Sequence, residues 1–187
     1  MNIKKLDSEI ILYQNNTLPD VINLIEEINI KQSQDNVWQI ASNYNTNNTN
    51  IVTNSEILYL NPGDSFLSEK REISELLNEY SLPFILNYLS DLELSIKSIK
   101  PWTICKNIKN YEFHSGETKN NIKHQYCVII FLNDQYIGGG LHFKDRIGNE
   151  LVTFNTGDVI IYPSNEEYLH RTFPITDGTQ YVAITYF

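Results

Sequence analysis

The stretch Tyr126-Cys-Val-Ile-Ile-Phe-Leu132 decides the fold prediction for this chain. It is an unbroken apolar run, rich in β-branched and aromatic residues, and it ends at the turn residues Asn133-Asp134, as a buried central strand does. Three further runs follow, each bounded by a turn or a proline: residues 159–162, 167–173 and 180–187, the last after a turn at residues 176–179. Such a series of short strands predicts a β-barrel or sandwich.

The N-terminal half shows helical periodicity instead. Residues 17–28 begin with a Thr cap and an early Pro and then place apolar residues on one face, which predicts an amphipathic helix. Residues 68–79 predict a second helix, and residues 82–92 a third that follows Pro83. Residues 50–60 are predicted to be extended. These helices are expected to support the β core.

Length and composition favour one globular domain. The chain has 187 residues, of which 41% are hydrophobic and 20% charged. We predict a single domain with a helical support region and a β segment over residues 1–100, and a β core over residues 101–187. The net charge of −9 repels phosphate backbones, so nucleic acid is not an expected partner.

The N-terminus lacks the apolar core of a signal peptide, and no segment approaches the roughly 20 apolar residues of a membrane span. A cytoplasmic protein without a membrane partner is therefore expected. Cys105 and Cys127 each lie in an apolar stretch, which favours two buried thiols in a reducing compartment. A disulfide between them stays open as the alternative.

The four histidines, His114, His124, His142 and His170, are the candidate metal ligands. Neutral imidazole is the commonest metal ligand, but a metal site needs two or three such groups brought together by the fold. Spacing alone leaves packed or solvated histidines as the simpler interpretation. His142 is expected to face solvent from an edge strand, beside three consecutive glycines that predict a bulge or a close backbone approach.

Four blocks in order carry a family resemblance. They are Leu132-Asn-Asp134, Tyr136-Ile-Gly-Gly-Gly-Leu-His-Phe143, Gly157-Asp-Val-Ile-Ile-Tyr-Pro-Ser164 and Tyr168-Leu-His-Arg-Thr-Phe-Pro-Ile-Thr-Asp-Gly-Thr-Gln-Tyr181. With these blocks, residues 101–187 resemble the prolyl-4-hydroxylase-like branch of the 2-oxoglutarate/iron(II)-dependent oxygenases. The resemblance implies a mainly β fold with N-terminal helices, the double-stranded β-helix (jelly roll, cupin-like) with supporting helices.

The resemblance also implies a metal site with two of its positions altered. His114 and His170 correspond to the two iron-binding histidines, but the family's carboxylate ligand falls on Gly116, and the chain contains no His-x-Asp or His-x-Glu. Glu117 is a possible substitute. The family's arginine, which pairs with the distal carboxylate of 2-oxoglutarate, is replaced by Gln180.

Other side chains complete the expected site. Tyr111 and Tyr162 are candidates to line the cofactor pocket, alongside Gln180. Arg171 does not replace the missing arginine, because it neighbours His170 on a strand and points to the opposite face.

Three functions stay open. An active oxygenase would use Fe(II) and 2-oxoglutarate to hydroxylate an unknown small-molecule or peptide substrate. A catalytically altered or inactive protein would keep the barrel as a binding or structural module. An iron halogenase is the third possibility, because some halogenases of this superfamily carry Gly or Ala at the carboxylate position; they keep the arginine, so Gln180 argues against it. The oligomeric state is not predicted.

Overall fold

The computed structural model describes residues 2–15, 17–31, 38–40, 56–60, 67–96, 98–107, 113–115 and 126–187. Within these residues the α-helices are α1 (Val21–Lys31) and α2 (Leu67–Asp91). The strands, in chain order, are β1 (Asn2–Lys5), β2 (Ile11–Gln14), β3 (Gln39–Ile40), β4 (Glu56–Tyr59), β5 (Thr103–Lys106), β6 (Tyr126–Phe131), β7 (Tyr136–Gly138), β8 (Leu141–Phe143), β9 (Leu151–Val152), β10 (Val159–Pro163), β11 (His170–Thr172), β12 (Ile175–Gly178) and β13 (Tyr181–Tyr186).

Eight of these strands form one large antiparallel sheet, in the order β1-β2-β10-β6-β13-β5-β4-β3. The predicted central strand, β6, lies between β10 and β13 and is almost entirely buried, because both of its edges are hydrogen-bonded and both of its faces are covered. Four strands of the N-terminal half extend the sheet, with β2 pairing to β10 and β4 to β5. The strands β1 and β2 were not predicted from the sequence.

Two smaller sheets, β11-β8-β9 and β12-β7, face the large one. An apolar interior lies between the layers and includes Phe131, Phe143, Tyr162, Tyr168 and Val182. This architecture confirms the predicted double-stranded β-helix with helical support. The turn predicted at residues 176–179 is wrong in part, because β12 pairs with β7 there.

The helices cover the outer face of the large sheet. Apolar side chains of α1 and α2, including Ile25, Ile73, Leu77 and Tyr88, pack in a second core against outward-facing sheet residues. The first helix begins at Val21, four residues later than predicted, and the predicted second and third helices are one helix, α2.

Pro83 does not end α2, because it lies on the exposed side of the helix. The carbonyl that its missing N–H leaves unpaired can bond to water there. The neighbouring Phe84 and Ile85 are buried against the sheet, and their packing holds both halves of the helix in line.

None of the helices in the described part of the chain is both long enough and apolar enough to cross a membrane.

Candidate functional site

His114 and His170 lie directly opposite each other across an isolated antiparallel bridge. The N–H of His114 donates to the carbonyl of His170 at 2.9 Å, and the N–H of His170 donates back at 3.0 Å. Residues paired in this way project their side chains on the same face of the sheet. The two imidazole ring centres accordingly lie 4.4 Å apart. The structure therefore brings together the two histidines that the resemblance implied as ligands.

The environment of His170 defines its tautomer. Its Nδ1 lies 3.2 Å from the carbonyl oxygen of Tyr168, and its Nε2 lies 3.1 Å from the hydroxyl of Tyr162. A carbonyl oxygen can only accept, so Nδ1 carries the proton and Nε2 accepts from the Tyr162 hydroxyl. A metal-binding histidine characteristically has one nitrogen held by a carbonyl and the other carrying a lone pair.

His170 is electrically neutral in the folded protein. Its side chain is buried, with the residue 6% exposed. Burial, followed by the charge of His114, lowers the pKa of His170 to about 3. Only neutral imidazole can coordinate a metal ion, so His170 is ready to bind one without first losing a proton.

A buried polar chain continues from Tyr162 into the interior of the barrel. Tyr162 is hydrogen-bonded to Cys127, and Cys127 also to Tyr186. Burial raises the pKa of Tyr162 well above its usual range, and it raises that of Cys127 to about 12. Both groups therefore stay protonated. Cys105 and Cys127 are free and buried, as the sequence favoured.

Gln180 occupies a buried position immediately before β13. The backbone N–H of Asn107 donates to the Gln180 carbonyl at 2.9 Å, and the backbone N–H of Gln180 donates to the Asn107 side-chain Oδ1 at 2.8 Å. These bonds continue the pairing of β13 with β5, so strand alternation places the Gln180 side chain on the same interior face as Val182. The residue is only 4% exposed, and its amide is hydrogen-bonded to Tyr136.

Arg171 points away from this interior, as predicted. It pairs with His142 in the β11–β8 register, and its Nε donates to the Nδ1 of His142 at 3.2 Å. Its guanidinium also lies against the rings of Phe113 and Phe173. The expectation for His142 was wrong: β8 is the middle strand of its sheet, and the ring Nε2 is buried, because Arg171 and the aromatic rings cover it.

The remaining predicted site residues, Tyr111, Gly116 and Glu117, lie outside the described residues, and so does His124. Sequence reasoning missed the roles of Tyr168 and Tyr136. The Tyr168 contact uses a backbone carbonyl, which leaves no side-chain signal. Tyr136 stands within a motif block, but its bond to Gln180 depends on how separate strands meet.

The described residues fit an iron ion better than they fit 2-oxoglutarate. The histidine pair supplies two imidazole donors, and the Tyr168 carbonyl holds one of them, His170, through its Nδ1. This arrangement suits a divalent transition metal. Within the described ranges, no group of three or more His, Cys, Asp or Glu side chains could complete the site. Gln180 supplies no charge for the distal carboxylate of 2-oxoglutarate, so this position does not fit that cosubstrate.

Comparison with known sequences finds hydroxylases over part of the chain. A PKHD-type hydroxylase of Delftia acidovorans is 32% identical over 83 residues, which are 43% of this chain and 36% of that protein. A PKHD-type hydroxylase of Xylella fastidiosa is 40% identical over 65 residues, or 34% of this chain and 27% of that protein. The matches thus span about a third or less of these relatives. No family profile matches the chain.

Comparison with solved structures covers nearly the whole chain. A Pseudomonas putida prolyl-4-hydroxylase superposes with a TM-score of 0.67 at 12% identity, covering 96% of this chain and 91% of that one. A Trichoplax adhaerens prolyl hydroxylase, solved with a hypoxia inducible factor peptide fragment, has a TM-score of 0.69 at 13% identity, covering 96% and 84%. The chain therefore has the double-stranded β-helix fold of the prolyl-4-hydroxylase-like 2-oxoglutarate/iron(II) oxygenases.

Proposed function

We propose that this chain is a divergent, oxygenase-like protein that binds iron(II) through His114 and His170 and oxidises a substrate not yet identified, as a hydroxylase does. The observation that carries the proposal is the cross-strand pairing of the two histidines, with ring centres 4.4 Å apart and His170 held neutral. The PKHD-type names of the partial relatives and the shared fold support the same class.

Three residues around the histidine pair, Tyr168, Phe143 and Val182, have structural roles in the proposed site. The Tyr168 carbonyl holds the Nδ1 proton of His170 and thereby orients Nε2 as the donor atom. Buried Phe143 and Val182 exclude water from the interior beneath the histidine pair. Bound iron, together with a 2-oxo acid cosubstrate, would supply the activation of oxygen.

Metal binding by the purified protein tests the proposal. Anaerobic titration with Fe(II) is expected to show one equivalent bound, and His114→Ala and His170→Ala are expected to lose it. His142→Ala is the matched control, because it removes an imidazole from the outer face of the same small sheet. Binding that survives both site variants, or no binding by the parent protein, would contradict the proposal.

A second candidate function is a non-catalytic binding or structural module. Two observations favour it: Gln180 is neutral where the family has arginine, and Tyr162 already occupies the Nε2 of His170. This candidate predicts no stoichiometric iron. If iron does bind, dependence of the product on chloride would separate a halogenase from a hydroxylase.

A further inference from the structure

The carbonyl that holds the His170 ring belongs to Tyr168, which lies just outside the small sheet. Strand β11 begins at His170, so its pairing with β8 does not include Tyr168. Tyr168 instead ends a short 3-10 turn, Glu166–Tyr168, in which its N–H donates to the carbonyl of Asn165 at 3.1 Å. The orientation of its peptide therefore depends on how this turn and the Tyr168 side chain are held.

Two charged groups hold the buried side chain of Tyr168. Its hydroxyl donates to the carboxylate of Glu9, and the guanidinium of Arg146 lies over its ring, 3.9 Å from the ring centre. Burial, followed by the bond to Glu9, raises the pKa of Tyr168, so the phenol stays protonated and remains the donor. Arg146 also donates through Nε to the carbonyl of Glu167 at 3.0 Å, so it fixes the turn and the ring together.

Both of these groups are anchored by the loop of residues 6–10, which joins β1 to β2. The Nη1 of Arg146 pairs with the Oδ2 of Asp7 at 2.9 Å, and the two side chains are only 24% and 26% exposed. The hydrogen bond from Arg146 lowers the pKa of Asp7, so the pair stays charged. The loop itself is tied to α2, because the hydroxyl of Tyr88 donates to the carbonyl of Glu9 at 2.8 Å.

We propose that Glu9 is a positioning residue for the histidine site. With the Asp7–Arg146 pair, it holds the side chain of Tyr168. The Tyr168 carbonyl then keeps the His170 ring in the orientation that offers Nε2 to a metal ion. For the metal, this inference rests on the proposed function. Loss of a ligand's direct hydrogen-bond partner lowers metal affinity about 10- to 100-fold, and Glu9 acts one contact further away, so about three- to tenfold is expected.

Titration of the purified protein with Co(II) in the absence of oxygen tests the inference. The visible absorption of bound Co(II) gives both the dissociation constant and a signature of the ligand geometry. Glu9→Ala and Tyr168→Phe are expected to weaken binding about three- to tenfold and to change the spectrum. The double variant should bind no more weakly than Glu9→Ala, because both changes remove the same hydrogen bond. Glu9→Gln keeps a neutral acceptor and should recover part of the affinity.

Glu167→Ala is the matched control. It removes a carboxylate that is 79% exposed and lies 3.8 Å from the same Arg146, and it should leave the affinity and the spectrum unchanged. In the metal-free protein, NMR measures how fast the Nδ1 proton of His170 exchanges with solvent. This exchange is expected to be faster in Glu9→Ala, while the amide protons of β6 exchange as in the parent. That comparison separates a local effect from a loss of global stability.

Metal binding by the parent, with the same affinity and spectrum in Glu9→Ala and Tyr168→Phe, overturns this inference alone. An equal loss of affinity in Glu167→Ala also overturns it, because a general charge effect would then explain the result. If the parent binds no metal, the proposed function fails, and the metal-free measurement decides the orienting role. Faster exchange of the His170 Nδ1 proton in Glu9→Ala supports that role, and unchanged exchange overturns it.

Discussion

The hydroxyl of Tyr162 lies 3.1 Å from the Nε2 of His170 and donates to the lone pair that a metal ion would use. Metal binding must therefore displace a buried hydrogen bond. Tyr162→Phe removes this competitor and keeps the ring that packs against Phe143. Because a neutral hydrogen bond contributes about 1 kcal/mol, we expect the variant to bind Fe(II) or Co(II) about fivefold more tightly.

Calorimetric titration of the metal-free protein measures this effect. Tyr186→Phe is the matched control, since Tyr186 also bonds to Cys127 but is separated from His170 by Tyr162. Equal or weaker metal binding by Tyr162→Phe would show that the hydroxyl supports the bound metal instead of competing with it.

The depressed pKa of His170 predicts a pH-dependent stability for the metal-free protein. The unfolded chain protonates this histidine below about 6.5, whereas the folded protein does so only near pH 3. Between these values the unfolded state binds more protons, so the free energy of unfolding decreases as the pH falls, by at most about 1.4 kcal/mol per pH unit. This contribution is fully present above pH 6.5.

Urea unfolding at pH 7.0 and pH 5.0 measures the slope. His170→Gln is expected to lose less stability than the parent between these two values, because its side chain does not titrate. If His170→Gln loses as much stability as the parent between these pH values, groups other than His170 cause the pH dependence.

The sequence predicted the sheet of the C-terminal half because its strands are continuous, apolar and bounded by turns. It did not predict β1 and β2, since β2 pairs with the distant strand β10, β1 pairs in turn with β2, and short runs resemble loops. The pairing of His114 with His170 was implied by the family resemblance alone, as spacing carries no information about which strands meet. The position of Arg171 followed from strand alternation and is correct.

Pro83 was interpreted as the start of a new helix, and its place inside α2 leads to a stability prediction. A proline in a helix interior lacks one hydrogen bond and clashes with the preceding turn, at a cost of about 3 kcal/mol relative to alanine. Pro83→Ala is expected to raise the free energy of unfolding by about 1 kcal/mol or more, after allowing for the greater freedom of its unfolded chain. Thermal unfolding measures the change in stability. A lower unfolding midpoint in the variant would show that the fixed backbone conformation of proline stabilises α2 at this position.

Gly138 has no room for a side chain, in line with the close backbone approach that the three consecutive glycines indicated. Its φ is +94°, and a Cβ there would stand 2.2 Å from the carbonyl oxygen of Pro174. Neither the backbone conformation nor the contact admits a side chain, and the carbonyl cannot move freely because it accepts the N–H of Gly139 at 3.0 Å. Gly138→Ala is therefore expected to destabilise the protein by about 2–4 kcal/mol.

Gly148→Ala is the comparison variant, because it tests the strain of a positive φ without a steric clash at the added Cβ. Gly148 also has a positive φ, +62°, but nothing beyond its own chain neighbours lies within 4 Å of an added Cβ, so only backbone strain of about 1 kcal/mol is expected. Urea unfolding of both variants measures the difference. Similar losses in the two variants would show that the β7–β12 sheet adjusts to the methyl group and that the close approach to Pro174 is not a fixed feature of the fold.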